Sequence, residues 1–468
     1  MTTSTPSLKS RFVLRALLAH ASPILIAQLA SMSTTIVDTV IAGYAGTVDL
    51  AAVGIGSGIY ISVMLAFAGI VQGLTPIAAQ HFGARRISEL PASFQQGIWL
   101  AAGLALLGMV LMIFPGWLLN ASSMTPEIEA RTRAYLTALA FVLPGTLIYR
   151  TCGGMLNAIG APRMLMFFGL ANAGVHALLA PTLAFGWLGT TPLGAVGCAI
   201  SNVIITSSLA IAGLVYLARS QRSQALHLLS GWQAPSLARI GEILRIGLPI
   251  GMSAFVEITS FALIALMVAP LGPIAVGGHR ILGSFGGVCY MLPLSISIAT
   301  LAMVGQAAGA QDWPHVRKTV RVGMLLGVGA STSLALLLWA SGDALIRVYT
   351  PDPAVQQLAI SLIGLIAFYQ LFDAVQTVAA QALRGLKQSI GPMTIHIICF
   401  WGVGMAGGWW LCYRGFTPLG IAPMGLGGFW WAATLATIVA SAMFAALLRA
   451  SLQKTKTTQI TSRATSEA

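Results

Sequence analysis

The stretch RALLAHASPILIAQLASMSTTIVDTVIA, residues 15–42, decides the fold. It is predominantly apolar over more than the roughly 20 residues a helix needs to cross a bilayer. Inside it stands one carboxylate, Asp38. A charged group near the bilayer centre costs at least about 2.5–3.5 kcal/mol on insertion scales, so such residues face a protein interior or a wet cavity and often mark ion or proton pathways. Two further acids, Glu257 and Asp373, have the same kind of flanks. A cation-coupled transporter is therefore the first expectation.

The whole chain agrees with this stretch. Of its 468 residues, 57% are hydrophobic and 8% charged, against about 25% charged in soluble domains. A mean hydropathy of +0.84 leaves an integral membrane protein as the class. The basic balance, a net charge of +13, does not imply a nucleic-acid partner, because the charges fall between apolar segments and so report topology. The five cysteines (Cys152, Cys198, Cys289, Cys399, Cys412) are scattered without a C-x-x-C pair, so neither a disulfide framework nor a zinc site is implied. The first apolar run is too long for the h-region of a cleavable signal peptide.

Reading at bilayer length gives twelve spans, near 15–42, 50–79, 93–119, 131–156, 164–188, 194–218, 243–270, 274–304, 319–341, 355–383, 392–413 and 420–449. The N-terminus, the even-numbered loops and the tail hold 19 of the 25 Lys and Arg. By the positive-inside rule both termini face the cytoplasm of a multi-pass inner-membrane protein, which an even number of spans requires.

The chain also repeats. Pro23-Ile24 matches Pro249-Ile250, and Gln80-x-x-Gly83-Ala84 matches Gln306-x-x-Gly309-Ala310. The turn at 156–159 echoes that at 383–386. The expected fold is all-α, with two six-helix lobes related by a parallel pseudo-two-fold repeat. The expected divisions are a cytoplasmic N-terminal segment 1–14, an N-lobe 15–218, a basic cytoplasmic linker 219–242, a C-lobe 243–449 and a cytoplasmic tail 450–468.

The three acids do not repeat, so each lobe has its own chemistry. Each lies on a polar stripe at helical spacing: Gln28, Ser31, Thr35 and Asp38; Ser253, Glu257 and Ser260; Tyr369, Asp373, Gln376, Thr377 and Gln381. A polar stripe on an apolar helix lines a cavity or a helix contact. A carboxylate in an apolar cavity can carry a proton; two carboxylates with a hydroxyl and carbonyls can instead cage Na⁺, with Tyr369, Asp373 and Glu257 as the donors. Asp38 lies near the outer end of its span, where reaching toward water is an alternative; packing pairs with Arg150 or Arg280 are another. Asn172, His176 and Asn202 read as interhelical hydrogen bonding, or as members of an Asp38 network if span 5 faces span 1.

These residues carry a family resemblance. Pro23-Ile-Leu-Ile-Ala-Gln28 with Val37-Asp38-Thr39 and Ala42-Gly43 resembles the first helix of multidrug and toxic compound extrusion (MATE) transporters. Leu248-Pro-Ile-Gly251 with Glu257, then Ala269-Pro-Leu-Gly272 and His279, resembles their seventh helix and the turn beyond it. Tyr369-x-x-x-Asp373 followed by Ala382-Leu-Arg-Gly385 resembles their tenth, and Glu257 with Asp373 points to the NorM-like branch. The resemblance implies a drug/cation antiporter with a V-shaped cavity between the lobes. It implies a coupling cation, usually Na⁺, at Glu257, Asp373 and Tyr369, and an amino-lobe cation or proton site at Asp38 with Asn172. Gln28, Thr35, Asn172, His176, Asn202, Ser253, Gln376 and Arg280 are the expected cavity-lining or substrate residues. The chain departs from the family pattern at His176, Asn202 and Arg280; the first two are expected to weaken the amino-lobe site, and Arg280 to alter charge near the carboxy-lobe cavity.

A non-enzymatic antiporter exporting small, mostly cationic amphipathic compounds, acting as a monomer in the lipid bilayer, is the leading reading. No cofactor is expected beyond the coupling Na⁺ or H⁺. The alternative is a lipid-linked precursor flippase, which would want a cationic cavity, or another twelve-helix secondary transporter. The chain has no H-E-x-x-H, no G-x-S-x-G and no Walker loop.

Overall fold

In a computed structural model, the described residues are 10–116, 125–187, 189, 191–415, 420 and 422–467. Expectations touching residues 1–9, 117–124, 188, 190, 416–419, 421 and 468 lie outside them. The described residues contain no strand and twelve helices long and apolar enough to cross a membrane. These are α1 (Ser10–Ala45), α2 (Thr47–Gly83), α3 (Glu89–Ile113), α4 (Pro126–Ala158), α5 (Arg163–Phe185), α6 (Ala195–Arg219), α7 (Leu237–Leu271), α8 (Pro273–Gly309), α9 (Trp313–Tyr349), α10 (Pro353–Gly385), α11 (Ile390–Tyr413) and α12 (Leu426–Gln453).

Several helices outrun the expected spans, α9 most of all. Hydropathy sees only the apolar part of a helix, whereas the helix itself runs until a cap or turn ends it. Asp312 caps α9 by accepting from His315 N, and Asp352 caps α10 by accepting from Ala354 N and Val355 N; each precedes a tryptophan or proline that opens the first turn.

The internal repeat is visible in how the helices end. Past α2, Arg85 has φ 57°, and past α8, its counterpart Gln311 has φ 56°. Past α4, Gly160 has φ 73°, and past α10, its counterpart Lys387 has φ 60°. All four ends close with the same backbone bond: Arg86 N to His81 O, Asp312 N to Ala307 O, Ala161 N to Leu156 O, and Gln388 N to Leu383 O. This is the Schellman termination, with one left-handed residue after the helix. Only one of the four positions is glycine, so these turns hold against the usual preference.

The helices gather into two compact units, one of Ser22–Phe255 and one of Met1–Ala21 with Val256–Ala468. The divisions fall within α1 and α7. In the first unit, α2 and α7 meet through two small-residue rows, Gly69 with Gly73 and Gly247 with Gly251. A Cβ on Gly69 would stand 2.6 Å from Gly251 Cα, and one on Gly251 would stand 2.5 Å from Ala66 O. Backbones approach this closely only where side chains are absent, which is how membrane helices gain packing without a hydrophobic driving force.

The basic segment 219–242 is not a loose connection. Leu226 and Leu228 are buried in the apolar core of the first unit, with Leu74, Phe94 and Ile246. The fully buried Gln95 holds Leu228 O, Ser230 O and Gln233 N, and the fully buried Gln96 holds Ala234 O and Ser236 N. Trp99 Nε1 donates to Gln233 O.

Candidate functional site

In the unit Ser22–Phe255, α1, α5 and α6 bring four polar side chains together. His176 Nε2 lies 2.8 Å from Asp38 Oδ1, and Asn202 Nδ2 donates to Asp38 Oδ2 at 3.0 Å. Ser201 Oγ lies 3.1 Å from His176 Nδ1. Asp38 is 8% exposed, and His176 and Ser201 are fully enclosed. Asp38 therefore does not reach toward water: both its oxygens are engaged inside the unit. His176 and Asn202, two of the positions where the chain departs from the family pattern, are the residues that bond Asp38. The sequence offers this network only on condition that span 5 faces span 1, and the docking of α5 and α6 on α1 meets that condition for His176 and Asn202.

The rest of the first set is spread out. Asn172 lies one turn before His176, but its Oδ1 is buried without a hydrogen-bond partner. Gln28 is half-buried, while Ser31 and Thr35 are exposed, so the α1 stripe turns away from Asp38 as it runs toward the N-terminus. Ser253 is buried and donates to Pro249 O within its own helix.

The second unit assembles its polar set on α7, α8, α10 and α11. Gln376 Nε2 donates to Asp373 Oδ1 at 2.9 Å, and Gln376 Oε1 lies 3.2 Å from His396 Nε2. A carbonyl oxygen only accepts, so His396 donates from Nε2; its Nδ1 is buried with no partner. Tyr290 and Arg384 both lie within electrostatic reach of Glu257, Arg384 without closing an ion pair. Tyr369 is buried, its ring edge-on to Trp430 at 6.4 Å, and Trp430 also packs on His279 at 5.6 Å.

The sequence reading does not single out three of these residues. It counts Arg384 as a cytoplasmic loop charge, yet Arg384 ends α10 and is 9% exposed. The signal is present: Asp373, Thr377, Gln381 and Arg384 continue one helical stripe. His396 and Tyr290 carry no such pattern, being single polar residues in apolar runs. His396 directly precedes a π-helical segment, Ile397–Ala406, whose wider turns break the ordinary helix register. Neither Arg150 nor Arg280 pairs with an acid among the described residues. Arg280 is exposed.

Buried polar atoms without partners concentrate in this second set: Thr377 Oγ1, Gln381 Oε1, Gln370 Oε1, Arg384 Nε and His396 Nδ1. Such atoms are costly when dry, by about 1–3 kcal/mol each. Their clustering around two carboxylates marks a place suited to water or a cation.

The MatE family model matches residues 23–182 and 249–410. A curated protein of Aromatoleum aromaticum, named probable multidrug resistance protein NorM, is 46% identical over 440 residues, covering 94% of this chain and 95% of that one. Another of that name, from Chromobacterium violaceum, is 34% identical over 428 residues, covering 90% of each. Among solved structures, the Vibrio cholerae MATE transporter VcmN in the bent form matches with a TM-score of 0.83 at 18% identity, covering 95% of this chain and 98% of that chain. At that identity the likeness speaks to the fold.

Proposed function

This chain belongs to the MatE family of membrane transporters, and from that premise we propose that it is a multidrug efflux antiporter of the bacterial inner membrane. Bulky, amphipathic and mostly cationic compounds leave as Na⁺ or H⁺ enters. The relatives named multidrug resistance proteins support the export of drugs; the buried acids support a preference for cations. The single observation that carries the coupling is that each unit buries a carboxylate in its own hydrogen-bonded polar set, Asp38 in one and Asp373 in the other.

The chemistry rests on charge. A buried acid set is stable only when neutralised, by a cation or by protonation. Glu257 and Asp373, with Tyr369 beside them, are the coupling residues of the second unit, and Asp38 that of the first. A cationic drug and the coupling ion compete for the same negative charge. By linkage, an ion that binds one state better lowers drug affinity in that state by the same factor that the drug lowers affinity for the ion. Gln28, Thr35, Asn172, His176, Asn202, Ser253, Gln376 and Arg280 supply the adaptable polar lining. Both termini face the cytoplasm, and the monomer is the working unit.

The test is dye export from reconstituted vesicles, first under a Na⁺ gradient and then under a pH gradient alone. Asp373→Asn is expected to abolish ion-driven export while the protein still inserts and folds. Full export by this variant at normal expression would refute the assignment.

A further inference from the structure

We propose that Arg384 is a built-in counter-cation that sets the valence of the second unit's site, so that the site accepts one monovalent charge and not a divalent ion. This rests on the reading of Glu257 and Asp373 as the coupling acids and adds a residue that controls which ion they take.

The geometry has three parts. First, Arg384 lies on the same α10 stripe as Asp373, Thr377 and Gln381. Helical side chains lean toward the N-terminus of their helix, so the guanidinium is carried back toward Thr377 and Asp373. It is buried, lies near both Glu257 and His396, and leaves its Nε without a partner. Second, no ion pair within 4.0 Å ties it to Glu257 among the described residues. Its charge acts across the site and is not consumed in a closed salt bridge. Third, buried oxygens without partners, Thr377 Oγ1 and Gln381 Oε1, lie between Asp373 and Arg384 on the stripe. Oxygens of this kind are what a cation or its water would engage.

The charge balance is then simple. Glu257 and Asp373 bring two negative charges and Arg384 one positive. His396 donates from Nε2 to Gln376 while Nδ1 faces no acceptor, so the neutral imidazole fits its surroundings and the imidazolium would strand a buried N–H. Tyr290 is a phenol and brings no charge at neutral pH. The set carries one net negative charge. One Na⁺ or one proton neutralises it; a divalent ion would leave a buried excess positive charge. Lysine at this position would keep the charge, whereas glutamine would keep a hydrogen-bonding side chain of similar length and lose it.

The experiment measures retention of radiolabelled Na⁺ by the purified full chain in detergent, in mildly alkaline buffer, with Ca²⁺ as competitor. The wild type is expected to retain Na⁺ and to resist Ca²⁺. Arg384→Gln is expected to make Ca²⁺ a better competitor by on the order of tenfold or more, the size of effect one charge exerts across roughly 10 Å at an effective dielectric constant of about 20, and Arg384→Lys to keep the wild-type ratio. Glu257→Gln alone, which neutralises the set, is expected to lose Na⁺ retention. Combining it with Arg384→Gln restores one negative charge and is expected to restore retention, which also serves if Arg384→Gln alone does not fold. An unchanged Ca²⁺ ratio in Arg384→Gln, no rescue in the double variant, or no Na⁺ retention by the wild type overturns the proposal. Failure of the coupling reading itself is separate: it appears as ion-driven dye export that survives Asp373→Asn.

Discussion

His176 Nε2 lies 2.8 Å from Asp38 Oδ1, and the same carboxylate takes its other bond from Asn202. Two helices are thus pinned to α1 through one acid in the interior of a unit. Bonds of this kind to a charged group are worth more than neutral ones, and removing one partner leaves the other stranded.

His176→Ala is therefore expected to destabilise the unit by about 2–4 kcal/mol, from the stranded carboxylate and the vacated volume together. Asn202→Ala, which removes the smaller partner, should cost less, about 1–3 kcal/mol. Thermal unfolding in detergent measures both. Equal and negligible shifts would show that Asp38 is held by something else.

Gln376 is the bridge between Asp373 and His396, donating to one and accepting from the other. Gln376→Leu should lower stability by about 1–3 kcal/mol, since it leaves two buried polar groups unmatched. Gln376→Glu should be the worse change, because it adds a third carboxylate to the set, within hydrogen-bonding distance of Asp373. The ordering, read from melting temperatures, is the check.

The contact of α2 with α7 makes a sharper contrast. Gly251→Ala puts a Cβ 2.5 Å from Ala66 O, a backbone atom that cannot swing aside. It should cost at least about 2 kcal/mol through forced separation of the helices. Gly103→Ala on α3 meets nothing within 4 Å and should be neutral or stabilising by about 0.5–1 kcal/mol. The two variants compared in one melting series test the packing without touching any acid.

Gln95 and Gln96 fasten the segment 228–236 through five hydrogen bonds to its backbone. Changing both to Ala should accelerate amide hydrogen exchange across 228–236 by about tenfold or more, a loss of protection equal to about 1.4 kcal/mol. Exchange elsewhere in α3 should stay as it was. Unchanged exchange in the segment would mean that Leu226, Leu228 and Trp99 hold it unaided.

The twelve helices and their doubling are legible in the chain because both leave periodic marks: runs of bilayer length, and paired turns at a fixed spacing. The stripe Tyr369, Asp373, Gln376, Thr377 is equally plain, since helical spacing puts those residues on one face. The same rule, carried one step further, places Arg384 on that face; its position at the end of an apolar run makes it look like a loop charge. The packing of the segment 219–242 is not legible in the same way, because its charge outweighs Leu226 and Leu228.

The amino-acid order alone determined that this protein crosses a membrane twelve times in two similar halves, because burying an unbonded backbone in lipid forces helices of a set length. Which side chains meet was decided only by tertiary packing. His176 finds Asp38, Gln376 spans to His396 and Arg384 turns inward because helices far apart in the chain dock at particular angles and depths. No periodicity within one helix encodes the register of its neighbour.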